Sequence, residues 1–262
     1  MLPLVDEGLT RVEYRGYDSA GVAFFGRPNG NIQAIKSQGK IERLRARLAD
    51  GSVFQGNIGI AHTRWATHGV PSDDNAHPHL SCREHVAVVH NGIIGNWRVL
   101  KQELTGRGHN FRSQTDTELL AHLIGECLNG DPLAALRSAL ALVEGTYGLA
   151  VLFREFPDRI FFARQGSPLR IGLSEGEHWV ASDAQSFRRF TDQQVILENG
   201  QIGWVSAEGY AITNMDSIRV SPRVEQIEWN LSQIDKGEYP HHMLREICEQ
   251  PESLATTLSG RL

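Results

Sequence analysis

Cysteine is scarce in this chain: three residues, Cys82, Cys127 and Cys248, among 262. They lie far apart and form no CxxC pair. That argues against a disulfide scaffold and a cysteine zinc site, and it fits a reducing compartment. Long apolar runs are lacking too. No stretch approaches the roughly 20 residues that a membrane span needs. The opening residues, MLPLVDEG, carry acids where a secretory signal carries positive charge and then an apolar run. An excess of basic charge is also missing. With 26 Lys and Arg against 31 Asp and Glu, the net charge is −5, which gives no electrostatic reason to expect nucleic acid or an anionic membrane as partner. The densest basic stretch, Lys40 to Arg47, is interleaved with Leu and Ala and reads as a solvated helix face. These absences predict a cytoplasmic globular protein with neither nucleic acid nor membrane among its partners.

What is present is a strong alternation of patterns. Leu4, Val5, Leu9 and Val12 follow helical spacing. Strand-like runs follow at Ala20–Phe25 and Ile32–Ile35, with Pro28-Asn29-Gly30 as a turn between them. The pattern predicts a helix over Lys40–Ala49, then strands over Ile58–His62 and His85–His90. Helices are expected at Trp97–Leu104, Thr117–Leu128 and Leu133–Val143. The second of these opens with Thr115-Asp116-Thr117-Glu118, whose Thr and Glu have capping-box spacing. Strands dominate afterwards, at Tyr147–Phe153, Arg159–Ala163, Leu169–Leu173, Trp179–Ser182, Val195–Leu197, Ile202–Val205 and Tyr210–Thr213. Strands, then helices, then strands predict sheets and helices segregated into layers. From Gln226 the sequence turns polar and reads as a linker that ends within a helix-like segment.

The stretch HTRWATHGVPSDDNAHPHL, His62 to Leu80, holds four of the chain's eleven histidines, and His85 and His90 follow closely. Three readings compete. A structural metal site needs about four nitrogen or sulfur ligands at short, regular spacings; here Trp65, Thr67, Gly69 and Pro71 interleave and Pro78 separates His77 from His79. A cysteine–histidine pair would draw on Cys82, but neighbours in sequence are rarely the catalytic pair, and Cys82 reads better as a small buried thiol at a strand end. The third reading is an amino-acid site. Arg64 offers a planar fork for a carboxylate, Asp116 at a helix start can hold an ammonium group, and Asn91-Gly92 can converge on a developing oxyanion. Each residue also has a plain structural explanation: a surface ion pair for Arg64, helix-dipole complementarity for Asp116, and a type I′ turn for Asn91-Gly92. The residues alone leave these alternatives open.

A resemblance narrows them. EYRGYDSAG (Glu13–Gly21), AHTRWATHG (Ala61–Gly69), NAHPH (Asn75–His79), VVHNGIIGN (Val88–Asn96) and TDTE (Thr115–Glu118) occur in that order. Together they closely resemble the glutaminase domain of the glutamine–fructose-6-phosphate aminotransferase (isomerizing) family, the glucosamine-6-phosphate synthases. GTYG (Gly145–Gly148) and RQGSPL (Arg164–Leu169) continue the match. HHMLREICEQP (His241–Pro251) looks like that family's passage into its sugar-isomerase half.

The resemblance implies a class II glutamine amidotransferase. Its fold would be the α+β, four-layer α/β/β/α sandwich of the N-terminal-nucleophile hydrolases, here lacking the first strand. Residues 1–225 would be the glutaminase domain and 226–262 a linker toward an absent sugar-isomerase region. The implied activity is glutamine hydrolysis supplying ammonia for conversion of fructose 6-phosphate to glucosamine 6-phosphate, without cofactor or metal. L-glutamine would be the direct ligand. Fructose 6-phosphate would enter only through the isomerase region, and full-length relatives would be homo-oligomers. Arg64 would pair with the α-carboxylate of glutamine, Thr67 and His68 would line the same pocket, and Asp116 would hold the α-amino group. Asn91 and Gly92 would form the oxyanion hole, Trp65 would sit on the loop that closes over substrate, and His77 would shape the pocket. The family's nucleophile is an N-terminal cysteine, and none of the three cysteines here is N-terminal. Without that cysteine the chain as written is expected not to hydrolyse glutamine, and without the family's first strand it is expected to be poorly stable. A non-catalytic glutamine-binding or interaction domain is the alternative.

Overall fold

The computed structural model describes residues 2–26, 30–49, 57–228 and 237–259. The chain divides into two compact units, Met1–Gln226 and Ile227–Leu262.

In the first unit the centre is a six-stranded antiparallel sheet. It is built from β4 (His79–Leu80), β5 (Val86–Ile94), β6 (Gly145–Phe153), β7 (Ile160–Gln165), β11 (Gln201–Val205) and β12 (Tyr210–Asn214), in the order β12-β11-β7-β6-β5-β4. β5 and β6 are nearly continuous apolar runs because both faces of these strands are covered. Val86, Val88, Leu149, Val151 and Phe153 turn to one side. There they meet Leu119, Leu120 and Leu123 of α4 (Thr117–Cys127) and Leu136 of α5 (Pro132–Leu140), with Leu100 and Leu104 of α3 (Trp97–Gly106) completing that core.

The alternate residues Ala87, Val89, Ala150 and Leu152 turn the other way. They pack on Ala23, Phe25, Ile32 and Ile60 of a three-stranded sheet in the order β2-β1-β3, made of β1 (Ser19–Phe25), β2 (Ile32–Gln38) and β3 (Gly59–Arg64). On the same side, Phe162 and Val205 pack against Ile171 and Val195 of a four-stranded sheet. That sheet has the order β13-β10-β8-β9, made of β8 (Arg170–Ser174), β9 (Glu177–Ala181), β10 (Gln193–Ile196) and β13 (Val224–Gln226). The far face of the three-stranded sheet is covered by α1 (Leu2–Val12) and α2 (Ile41–Ala49), through Leu9, Ile41, Leu44 and Ala20. The result is helices, sheets, sheet, helices: four layers of an α+β sandwich. Each fully buried Leu, Ile or Phe in these interfaces contributes about 1.5–3 kcal/mol.

Most predicted elements occur within a few residues of their expected ends. Two strands were not expected, β4 and β13, two and three residues long, too short to show a period. The turn expected at Pro28-Asn29-Gly30 lies mostly outside the described residues. In the second unit, α6 (His242–Leu258) is a 17-residue helix with Pro251 inside it. Among the described residues no helix is long and apolar enough to cross a membrane.

Candidate functional site

β3, β5 and the start of α4 converge on a cavity of about 1530 Å³. Strand periodicity puts Ile60, His62 and Arg64 on one face of β3, the face that looks toward the large sheet. Arg64 is 4% exposed. Its Nη2 donates to the carbonyl of His68 and, at 3.4 Å, to that of Gly69. Its Nη1 is buried and has no partner. Burial lowers the pKa of this guanidinium, against the opposing pull of Asp116 and Asp18; the group keeps its charge in any protein setting. The unpartnered Nη1 leaves this guanidinium a donor for an incoming acceptor such as a carboxylate.

Asn91 and Gly92 do not form a turn after the strand. β5 runs through them to Ile94, pairing Asn91 with Gly148 and Gly92 with Tyr147. The position needs glycine: its φ is +140°, and a Cβ there would stand 2.0 Å from the Thr146 carbonyl oxygen. Asp116, 4% exposed, precedes α4, and its Oδ2 accepts the Ile94 N–H at 2.9 Å. The end of β5 and the Asp116 carboxylate are therefore tied together.

The capping box expected at Thr115–Glu118 is only half made. Thr115 Oγ1 accepts the Glu118 N–H at 3.4 Å. The Glu118 carboxylate, however, takes the N–H groups of Arg112 and Ser113, at 2.8 and 2.6 Å. The chain ahead of α4 folds back over the helix start, so those donors outcompete the cap residue. These bonds and His122 hold the Glu118 pKa down to about 2, although burial opposes them.

Three histidines of the His62–Leu80 stretch form a stack in which His77 and His79 are buried and His62 is half-buried. His62 stacks on His77 with ring centroids 4.3 Å apart, and His77 meets His79 edge-on at 5.0 Å. One ring nitrogen of each is engaged within the fold. His62 Nε2 lies 2.8 Å from Asn91 Oδ1. His77 Nδ1 accepts the His90 N–H at 3.4 Å, and His79 Nε2 is 3.0 Å from Thr115 Oγ1. His90 bridges Thr117 Oγ1 and the Thr146 carbonyl. Burial pushes the pKa of all four down, His62 to about 4.

Of the predicted site residues, Arg64, Trp65, Thr67, His77, Asn91, Gly92 and Asp116 all line the cavity. His68 is not among its lining residues. It packs edge-on against Trp97 at 5.8 Å and serves Arg64 through its carbonyl. Trp65 is 60% exposed and leans on Tyr17, ring to ring at 5.7 Å. Two residues given no role in the sequence reading belong to the site's frame. His62 orients the Asn91 amide, and its signal was available: it stands two residues before Arg64 on a strand. Asp18, inside the EYRGYDSAG motif, accepts the Ala66 N–H at 2.8 Å and donates its own N–H to the Arg64 carbonyl at 3.0 Å, which fixes the root of the Trp65 loop.

Cys82 corrects the sequence reading. It is exposed, not buried, because the chain leaves β4 into a surface turn at Cys82-Arg83-Glu84 before β5 begins. Among the described residues no cysteine lines the cavity.

The profile of the glutamine amidotransferase domain family matches residues 16–225. The chain is 48% identical over 262 residues to the glutamine–fructose-6-phosphate aminotransferase [isomerizing] of Pseudomonas aeruginosa, covering 99% of this chain and 42% of that protein. The Pyrococcus horikoshii protein of the same name is 46% identical, with 99% and 43% covered. The chain thus spans less than half the length of these curated relatives. Among solved structures, the glutamine phosphoribosylpyrophosphate amidotransferase of B. subtilis superposes with a TM-score of 0.67 at 25% identity, over 81% of this chain and 46% of that one. A glutamine aminotransferase class-II domain protein of Silicibacter pomeroyi shares the fold, with a TM-score of 0.54 at 20% identity over 76% of this chain and 91% of that one.

Proposed function

The chain belongs to the glutamine amidotransferase domain family, and from that premise we propose that its cavity binds L-glutamine and polarises the side-chain amide for hydrolysis. The observation that carries the reading is the unpartnered Nη1 of buried Arg64 in a cavity that Asp116, Asn91 and Gly92 also line. Arg64 takes the α-carboxylate bidentately. Asp116, whose Oδ2 is already held by the Ile94 N–H, takes the α-ammonium group through its remaining oxygen. The side-chain carbonyl then reaches toward β5. There the Gly92 N–H and the Asn91 amide meet the negative charge that develops on oxygen when the carbon becomes tetrahedral. Trp65 and Thr67 close the mouth, and His77 shapes the wall. We further infer from the similarity to glutamine–fructose-6-phosphate aminotransferases that the released ammonia serves conversion of fructose 6-phosphate to glucosamine 6-phosphate, in a longer protein or assembly that is homo-oligomeric and cytoplasmic.

Calorimetric titration with L-glutamine tests the binding part. Arg64→Ala removes a buried charge-assisted contact worth about 2–5 kcal/mol and is expected to reduce binding below detection, with Asp116→Asn weakening it as well. Equal affinity in all three proteins would refute the assignment.

The absence of a cysteine from the described lining residues supports a second reading, in which the 262-residue polypeptide binds glutamine without hydrolysing it. Covalent amide hydrolysis needs an activated nucleophile, and an oxyanion hole alone has no attacking group to serve. Glutamate release that disappears in Asn91→Ala would decide for hydrolysis; none at all would decide for binding alone.

A further inference from the structure

We propose that Cys82, His109 and His122 form a site for one zinc ion, distinct from the glutamine cavity. One ligand atom from each of the three lies within 4.8 Å of the others. Cys82 Sγ stands 3.6 Å from His109 Nδ1. A thiolate at about 2.3 Å and an imidazole at about 2.0 Å from a tetrahedral zinc ion are themselves about 3.5 Å apart. The pair already has the edge length of a zinc tetrahedron.

The orientation of both imidazoles fits as well. His122 turns Nδ1 toward Cys82, accepting its N–H at 3.1 Å, and His109 turns Nδ1 toward the sulfur. Behind each ring stands a carboxylate: Glu126 Oε2 is 3.8 Å from His109 Nε2, and Glu118 Oε1 is 3.6 Å from His122 Nε2. Zinc-binding histidines donate their second N–H to such a carboxylate, which fixes the tautomer and raises the basicity of the ligating nitrogen. His122 is 1% exposed, and its Nε2 has no hydrogen-bond partner, the carboxylate lying just outside bonding distance. On binding, zinc replaces the thiol proton of Cys82, which leaves to solvent, and takes the His122 Nδ1 lone pair from the Cys82 N–H. Because Cys82 is exposed, the fourth position faces water.

With three protein ligands and an open fourth position, the ion would differ from a closed four-ligand structural site, yet it would still cross-link the chain. It would tie the turn between β4 and β5, the connection from α3 to α4, and α4 itself, whose first turn follows Asp116. Positions 82, 109 and 122 follow no ligand-spacing motif, so the site leaves no trace in the sequence pattern.

The test uses the full 262-residue chain, stripped with a chelator and titrated with Co²⁺, then Zn²⁺. The wild type is expected to bind one equivalent of Co²⁺ with tetrahedral d–d bands and a thiolate-to-metal charge-transfer band, all displaced by Zn²⁺. It should also melt at a higher temperature with Zn²⁺ than without. Cys82→Ser should lose the charge-transfer band and the thermal shift. Glu126→Gln, which keeps all three ligands, should weaken affinity by about 10–100-fold. No binding by folded wild type overturns the proposal. So does a charge-transfer band that survives Cys82→Ser, or identical affinity in wild type and Glu126→Gln.

Discussion

His62 Nε2 lies 2.8 Å from Asn91 Oδ1, and this bond joins the edge strand of the small sheet to the strand of the large sheet that carries Gly92. The carbonyl oxygen can only accept, so the ring donates from Nε2–H and keeps a bare lone pair on buried Nδ1, which has no partner. The bond also fixes which way Asn91 faces: its NH₂ is left free to donate into the cavity.

A consequence for acid stability follows. In the unfolded chain His62 takes up a proton near pH 6.5; in the fold, burial delays this to about 4. Below pH 6.5 the unfolded state therefore binds more protons, and stability falls as the pH drops toward 4. At about pH 5 the His62 share of the loss is about 2 kcal/mol, equivalent to about 4–8 °C in melting temperature for a chain of this size. His77, His79 and His90 shift in the same direction. Glu118, held down to about 2, adds to the loss as the pH falls from the ordinary carboxylate value toward 2. Thermal melts at about pH 8 and about pH 5 check this; an unchanged midpoint contradicts it.

Gly92→Ala should be severe. A methyl group would meet the Thr146 carbonyl at 2.0 Å, across the β5–β6 pairing, on a backbone with φ +140°. Neither strand can move without breaking the central ladder. The expected loss exceeds about 2 kcal/mol in urea denaturation. Wild-type stability would mean that the strand path at Gly92 is wrong.

Glu118→Ala leaves the buried Ser113 N–H, and the more exposed Arg112 N–H, without their acceptor. The cost is about 1–3 kcal/mol for the buried group, with water able to replace the acceptor at the exposed one. Amide exchange at Ser113 should accelerate, and because this loop leads into Asp116, glutamine affinity should fall too. Exchange at Ser113 unchanged from wild type would show that Glu118 does not hold the loop.

Much of the layered architecture was visible in the hydrophobic pattern. β5 and β6 are buried on both faces, and their residues alternate between helix-facing and sheet-facing cores, so a continuous apolar run and a strand period coincide. β4 and β13 escaped because two or three residues carry no period. The site was legible only in part. Arg64, Asp116 and Asn91 each had an ordinary structural explanation, and only the ordered motifs joined them. Asn91-Gly92 looked like a turn because that dipeptide is the strongest turn signal; long-range pairing with Gly148 and Tyr147 overrode it. Cys82 looked buried because its residue type usually is, whereas the chain there has left the sheet. The tie between Ile94 and Asp116 and the recruitment of Glu118 by Arg112 and Ser113 depend on tertiary approach, which no local pattern encodes.

The central claim, that Arg64 receives the α-carboxylate of glutamine, is tested most directly by a double-mutant cycle in calorimetry. Its two ligands are L-glutamine and γ-aminobutyramide, which is glutamine without that carboxylate. Its two proteins are the wild type and Arg64→Ala. The account predicts that the substitution costs L-glutamine about 2–5 kcal/mol and costs γ-aminobutyramide almost nothing. Equal losses for the two ligands would contradict it.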